Sequence, residues 1–243
     1  MTTSPIILLD DGGVMNNNRL RGEQWPLLVG AFFAPRLGGT TTAWAEANRL
    51  VVQRIFEPAN WERRVQASSD YAHFERTYWL DWLTEMGHFA RITLPREEAC
   101  IHLAQQAECA IIPHIRSAFP GASEAIRQLH TEGYTLHTAS GEPSVHLTLY
   151  LEGMGVRDCF GRLYGADLLN TLKVGPAYYH QLFADLQIAP GDALIVDDSP
   201  RALAWAGSLG ARTVLVGAMQ ESSPGALHID SLAQLPGLLQ RMG

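Results

Sequence analysis

Pro5-Ile6-Ile7-Leu8-Leu9-Asp10-Asp11-Gly12-Gly13-Val14 is the stretch on which the reading of this chain turns. Its apolar run is short, carries β-branched residues, and stops abruptly at two acids and two glycines. Run length and punctuation together point to a buried strand ending in a tight turn. Three later stretches have the same shape. Tyr134-Thr135-Leu136-His137-Thr138-Ala139 runs into Ser140-Gly141. Ala193-Leu194-Ile195-Val196 runs into Asp197-Asp198-Ser199-Pro200. Thr213-Val214-Leu215-Val216 stops at Gly217.

Helical patterns separate these strands. Residues 122–132 put Ala125, Ile126 and Leu129 on one face, and Gly133 ends the pattern. Residues 176–187 begin with Pro176 in a first-turn position and repeat Tyr179, Leu182, Phe183 and Leu186 at helical spacing. Residues 200–209 carry Ala202, Trp205, Ala206 and Leu209 on one face. Strands alternating with helices predict an α/β fold: a doubly wound, Rossmann-like parallel sheet covered on both faces. Ligands of such sheets bind at the carboxyl ends of the strands, where these acids and the Ser-Gly turn fall.

The span 19–116 reads differently. Helices are expected near 22–34, 41–56, 69–86 and 95–112, and 12 of the 21 Trp, Tyr and Phe residues lie here. These aromatics are expected to form the core of a separate helical domain, some of them lining a substrate pocket. Ser140 follows Asp10 by 130 residues, whereas a strand–helix–strand crossover takes about 30. The expected organisation is therefore an α/β core from 1–18 and 117–243, with a helical cap domain, 19–116, inserted after the first strand.

Composition narrows the function. The net charge of −7 argues against a sequence-independent nucleic-acid binder, which needs a basic face for phosphates. A small phosphorylated substrate stays compatible with it. Cys100, Cys109 and Cys159 form no C-x-x-C pair, so neither a disulfide framework nor a zinc site is expected, and reduced thiols suggest a cytoplasmic location. No leader and no membrane-spanning run are expected. The nine histidines show no HxH or HExxH pairing, although His73 and His88 lie among the cap aromatics. Gly12-Gly13 lacks the spacing of a nucleotide-binding loop. The sequence leaves the oligomeric state open.

Four motifs, in order, resemble the haloacid dehalogenase (HAD) superfamily. Leu8-Leu9-Asp10-Asp11-Gly12-Gly13-Val14 is similar to that family's strand-end Asp-x-Asp-Gly-Val. Leu136 to Ser140 is an apolar strand ending in a hydroxyl residue. Lys173-Val174-Gly175-Pro176-Ala177-Tyr178-Tyr179 resembles Lys-Pro-x-Pro-x-x-Tyr. Ile195-Val196-Asp197-Asp198-Ser199-Pro200 resembles the family's acidic turn. The resemblance covers the core; the cap is matched only in position and helical character.

The resemblance implies a Mg²⁺-dependent hydrolase of small phosphate esters that passes through an aspartyl-phosphate on Asp10. A carboxylate can serve as such a nucleophile. Asp10, the Gly12 carbonyl and Asp198, with Asp197 beside them, would hold Mg²⁺, which favours oxygen ligands. Ser140 and Gly141 would meet a phosphate oxygen. Lys173, the only lysine in the chain, would neutralise Asp10 and the phosphoryl group. Arg19 and Arg21, at the presumed cap hinge, would meet the substrate anion.

Two departures from the family pattern matter. Gly12 stands where the family's phosphatases carry the Asp that protonates the leaving group, help worth about 10²–10⁴-fold. Asp11 is a poor substitute, because neighbours in a strand face opposite ways. Ala202 stands where the family often has an Asp or Asn. Two alternatives follow. One is a 2-haloacid dehalogenase-type hydrolase that uses Asp10 without metal. The other is a HAD-fold binding or regulatory protein that has lost catalysis.

Overall fold

The computed structural model describes residues 6–217 and 225–242; Pro5, at the head of the first apolar run, lies outside them. In chain order the elements are β1 (Ile6–Leu9), α1 (Asn18–Leu37), α2 (Thr41–Ile55), α3 (Pro58–Ala67), α4 (Tyr71–Ala90), α5 (Glu97–Ile111), α6 (Ala122–Thr131), β2 (Leu136–Ala139), α7 (Ser144–Gly153), β3 (Phe160–Tyr164), α8 (Pro176–Leu186), β4 (Ala193–Asp197), α9 (Pro200–Ser208), β5 (Arg212–Val216), β6 (Leu227–Ile229) and α10 (Leu235–Met242). They fall into two compact units, Met1–Asn18 with Arg116–Gly243, and Arg19–Ile115.

In the first unit, six strands form one sheet in the order β3-β2-β1-β4-β5-β6. Every pairing is parallel. Strand β1 lies where the order reverses, the position at which doubly wound sheets bind ligands. Register does the rest. Leu9 is level with Thr138 of β2 and Val196 of β4, so Asp10, Ala139 and Asp197 leave the sheet side by side.

The strands read as nearly continuous apolar runs because both faces are covered. Ile7, Leu9, Leu194 and Val196 join Ile126, Leu129, Leu147 and Leu151 in one core layer. Leu8 and Ile195 point the other way, against Tyr178, Tyr179, Leu182 and Phe183. This split follows from the period of two along a strand.

The second unit is five helices around an aromatic core. Phe33 stacks on Trp44, with ring centroids 5.1 Å apart, and meets Trp82 edge-on at 5.8 Å. Buried indoles need acceptors, and they have them: Trp44 donates to the Gly38 carbonyl at 2.8 Å, and Trp82 to Asn48 Oδ1 at 3.0 Å.

The structure adds five elements that the sequence reading does not include: α3, α7, β3, β6 and α10. None of the residues of α3 is buried, so it has no stripe to read. Local chemistry starts it instead: Pro58 takes a first-turn position and the Glu57 side chain accepts from the Asn60 amide. Helix α7 is apolar on more than one face. Strand β3 is interrupted by exposed Gly161 and Arg162, and β6 has only three residues. Helix α4 runs past the expected end near residue 86 to Ala90, where Arg91 takes a left-handed conformation at φ 58. No helix among the described residues is long and apolar enough to cross a membrane.

Candidate active site

The turn after β1 is built by Asp11 rather than Asp10. Asp11 is fully buried and accepts from Asn16 Nδ2 at 2.7 Å. Its carbonyl accepts the Met15 and Asn16 amides. Ser117 Oγ in turn donates to Asn16 Oδ1 at 2.9 Å. With Asp11 spent on the turn, Asp10 is left at the strand end.

Lys173 then organises the centre. Its ammonium has three N–H donors, and three acceptors meet them: Asp10 Oδ1 at 2.9 Å, the Ala139 carbonyl at 2.7 Å and Asp197 Oδ2 at 2.7 Å. One side chain thereby ties together the ends of β1, β2 and β4. The Lys173 side chain is 9% exposed, that of Asp10 13% and that of Asp197 2%, so these ion pairs are poorly screened. The second oxygen of Asp197 accepts from the Ser199 amide at 2.8 Å. Ser199 also starts α9, its side chain accepting from the Ala202 amide.

Asp198, next along, completes a cluster. Asp10, Asp197 and Asp198 can present ligand oxygens all within 4.8 Å of one another. Gly13 makes room for this. Its φ is +83, and a Cβ there would sit 1.9 Å from Asp198 Oδ2. Both the backbone conformation and the space require glycine.

The electrostatics follow from burial. Burial pushes the Asp10 carboxyl up to about 7; Lys173 pulls it down and Asp197 pushes it up. Burial, with Asp197 adding to it, raises Asp198 to about 6, against the pull of Lys173. Burial works against the charge on Lys173, but Asp10 and Asp197 outweigh it and hold the amine protonated well above its ordinary range. With all three carboxyls ionised, the one ammonium leaves two negative charges at this part-buried centre. A divalent cation would cancel them, and hard oxygen donors suit one. The donor set is therefore compatible with such an ion.

The remaining expected residues fall in three places. Ser140 is buried beside Ala139, its Oγ accepting from the Glu142 amide at 3.3 Å. Gly141 is exposed in the same turn. Gly12 lies in the turn, bridged to Asn16. Arg19 and Arg21 belong to the helical unit, where Arg19 pairs with Glu23 on the surface. His73 is exposed near the start of α4, with Nδ1 accepting from the Ser69 amide. Ala202 is buried in the core layer under α9.

Sequence reasoning passed over several parts of this site. Tyr178 is buried, and its hydroxyl donates to the carbonyls of Ser140 and Tyr164, each 3.1 Å away. It pins the turn that carries Ser140. Asp167 caps the helix behind that turn, accepting from both the amide and the hydroxyl of Ser144. Asp167 sits 23 residues from Ser144, so no local pattern could reveal it. Asn18 belongs to none of the four motifs, yet it lies against Gly12.

Comparison with known proteins bears on the fold and the family. A haloacid dehalogenase-like hydrolase family model matches residues 27–209, which leaves the Asp10 stretch outside the matched residues. A phosphoglycolate phosphatase of Rhodospirillum rubrum is 31% identical over 100 residues, covering 41% of this chain and 42% of that protein. The chain thus spans less than half the length of the curated relatives it matches. Two solved structures share the fold end to end. The putative HAD-hydrolase YfnB from Bacillus subtilis has a TM-score of 0.68 at 16% identity, covering 98% of this chain and all of that one. The L-2-haloacid dehalogenase of Xanthobacter autotrophicus has a TM-score of 0.66 at 15% identity, covering 99% and 100%. A sheet that reverses at β1, acids at its carboxyl edge and a family match over most of the length lead to one assignment: this chain belongs to the haloacid dehalogenase-like hydrolases.

Proposed function

We propose that this hydrolase is a Mg²⁺-dependent phosphatase of a small phosphorylated molecule, acting through an aspartyl-phosphate on Asp10. The observation that carries the reading is the Asp10–Lys173–Asp197 arrangement with Asp198 beside it. It holds a carboxylate nucleophile in place and leaves an excess of negative charge suited to a divalent cation. The phosphatases of partial similarity support the same class.

Asp10, Asp198 and the Gly12 carbonyl are assigned to Mg²⁺, which when bound would shield the phosphoryl oxygens and lower the Asp10 carboxyl into its ionised range. Lys173 fixes one oxygen of Asp10 and leaves the other to attack phosphorus. Asp197 positions Lys173. Ser140 and Gly141, at the end of β2, are assigned to a phosphoryl oxygen. The helical unit, inserted after β1, is assigned the selection of substrate, with Arg19 and Arg21 meeting its anionic end. The thiol and charge pattern favours a cytoplasmic location and no nucleic-acid partner.

The test is hydrolysis of an aryl phosphate by the native protein and Asp10→Asn, with and without Mg²⁺. Turnover that needs both Mg²⁺ and Asp10 is expected. Gly12 favours one other reading, carbon–halogen hydrolysis through an Asp10 ester without metal, since that chemistry needs no acid at residue 12. Halide release from a 2-haloacid in chelator, with no phosphate release under any condition, would replace the first reading by this one.

A further inference from the structure

A carboxamide stands where the side chain of residue 12 would begin. A Cβ built on Gly12 would lie 2.6 Å from Asn18 Oδ1 and 2.9 Å from Asn18 Nδ2. Asn18 opens α1 and belongs, with Gly12, to the α/β unit. Gly12 is two residues past Asp10, in the turn whose next residue packs on Asp198. The space that an acid at residue 12 would enter is thus held by an amide from a different segment.

An amide donates and accepts hydrogen bonds but has no proton to give at neutral pH. The surrounding carboxyls have other duties. Asp11 is bound into the turn by Asn16, Asp197 is held by Lys173 and the Ser199 amide, and Asp10 and Asp198 belong to the nucleophile and the cation. Lys173 spends all three donors on Asp10, Ala139 and Asp197.

Building on the phosphatase reading, we propose that the substrate is a phosphoric anhydride, an acyl phosphate above all, and that Asn18 donates to the departing oxygen through Nδ2. Asp10 attacks phosphorus, and the bond to the bridging oxygen breaks. The leaving carboxylate takes the electron pair and needs no proton, since a carboxylic acid ionises near pH 4. Water then attacks the phosphorus of phospho-Asp10. The P–O bond to Asp10 breaks, Asp10 departs as its carboxylate, and the water's proton passes to the solvent with inorganic phosphate as product. An alkyl phosphate would have to expel an alkoxide. It would forgo the general-acid help worth about 10²–10⁴-fold.

The experiment compares acetyl phosphate with ethyl phosphate by phosphate release, using the full chain in Mg²⁺, for the native protein and Asn18→Asp. Asn18 is exposed and an acid is favoured in a first helical turn, so the variant is expected to melt as the native protein does. The native kcat/KM ratio of acetyl to ethyl phosphate is expected to exceed about 100. Asn18→Asp, which returns an acid to the slot, is expected to narrow that ratio at least tenfold and to give ethyl phosphate turnover a new basic limb. A native ratio within tenfold, or a ratio unchanged in Asn18→Asp, overturns the inference while leaving the phosphatase reading intact. If native protein and Asp10→Asn are equally inert on both substrates, the phosphatase reading falls and this inference falls with it.

Discussion

Lys173→Met removes the charge at the centre of the site while keeping most of the side chain's apolar length. Lys173 lies 2.9 Å from Asp10 and 2.7 Å from Asp197. At an effective dielectric of 20, each contact carries a gross attraction of about 6 kcal/mol. Desolvation of the three groups offsets most of it, and breaking a buried pair from one side costs about 3–5 kcal/mol. The carboxyls have an escape, which is to protonate. Asp10 ionises near 3.8 in an unfolded chain and near 7 in the native protein even with Lys173 beside it; without Lys173 it moves higher. A carboxyl whose folded pKa lies above its unfolded one favours the fold in its protonated form. Its penalty is absent below the unfolded value, grows as pH rises past about 4, and is complete above the folded value. The loss on Lys173→Met is therefore expected to reach about 3–5 kcal/mol at pH 8 and to fall by half or more at pH 5. Urea unfolding of both proteins in chelator at the two pH values measures it. An equal loss at both values, or less than about 1 kcal/mol at pH 8, would show that Lys173 does not neutralise a buried acid pair.

Three further outcomes follow from the same geometry. With Asp10 near 7 and Asp198 near 6, protons compete with a cation, so the rise in melting temperature on adding Mg²⁺ should be large at pH 8 and mostly gone at pH 5.5; a thermal-shift titration reads this, and a pH-independent rise would contradict it. Gly13→Ala should remove most of that rise and most of the turnover, because its Cβ would overlap Asp198 Oδ2 at a positive φ, whereas Gly141→Ala, with nothing within 4 Å, should leave the Mg²⁺ response intact. Tyr178→Phe should cost about 1 kcal/mol in the same urea melts by taking the hydroxyl donor from the Ser140 carbonyl.

Much of the core was legible because its signals are local. Ile6 to Leu9, Ala193 to Val196 and Thr213 to Val216 are short apolar runs closed by acids or glycine, and each became a strand. Pro176 and Pro200 mark helix starts, and both hold first-turn positions in α8 and α9. Order along the chain also made a parallel sheet the natural reading. Elements without a one-faced apolar pattern escaped: exposed α3, α7 with apolar residues on more than one face, and the edge strands β3 and β6; α10 escaped although Leu235 and Leu239 are both buried in it. Their stability comes from neighbours or caps, which a hydrophobic period does not record.

The resemblance of four short motifs singled out Asp10, Ser140, Lys173, Asp197 and Asp198, and all but Lys173 stand at strand ends. Only the tertiary structure decided what each of them touches. The Lys173–Asp10 pair closes over 163 residues, and the Ser144–Asp167 cap over 23. The Asn18 amide reaches Gly12 because the turn after Asp11 folds back on itself. Spacing along a chain states which groups are present; burial and direction, set by packing far away in sequence, settle their charge and their partners.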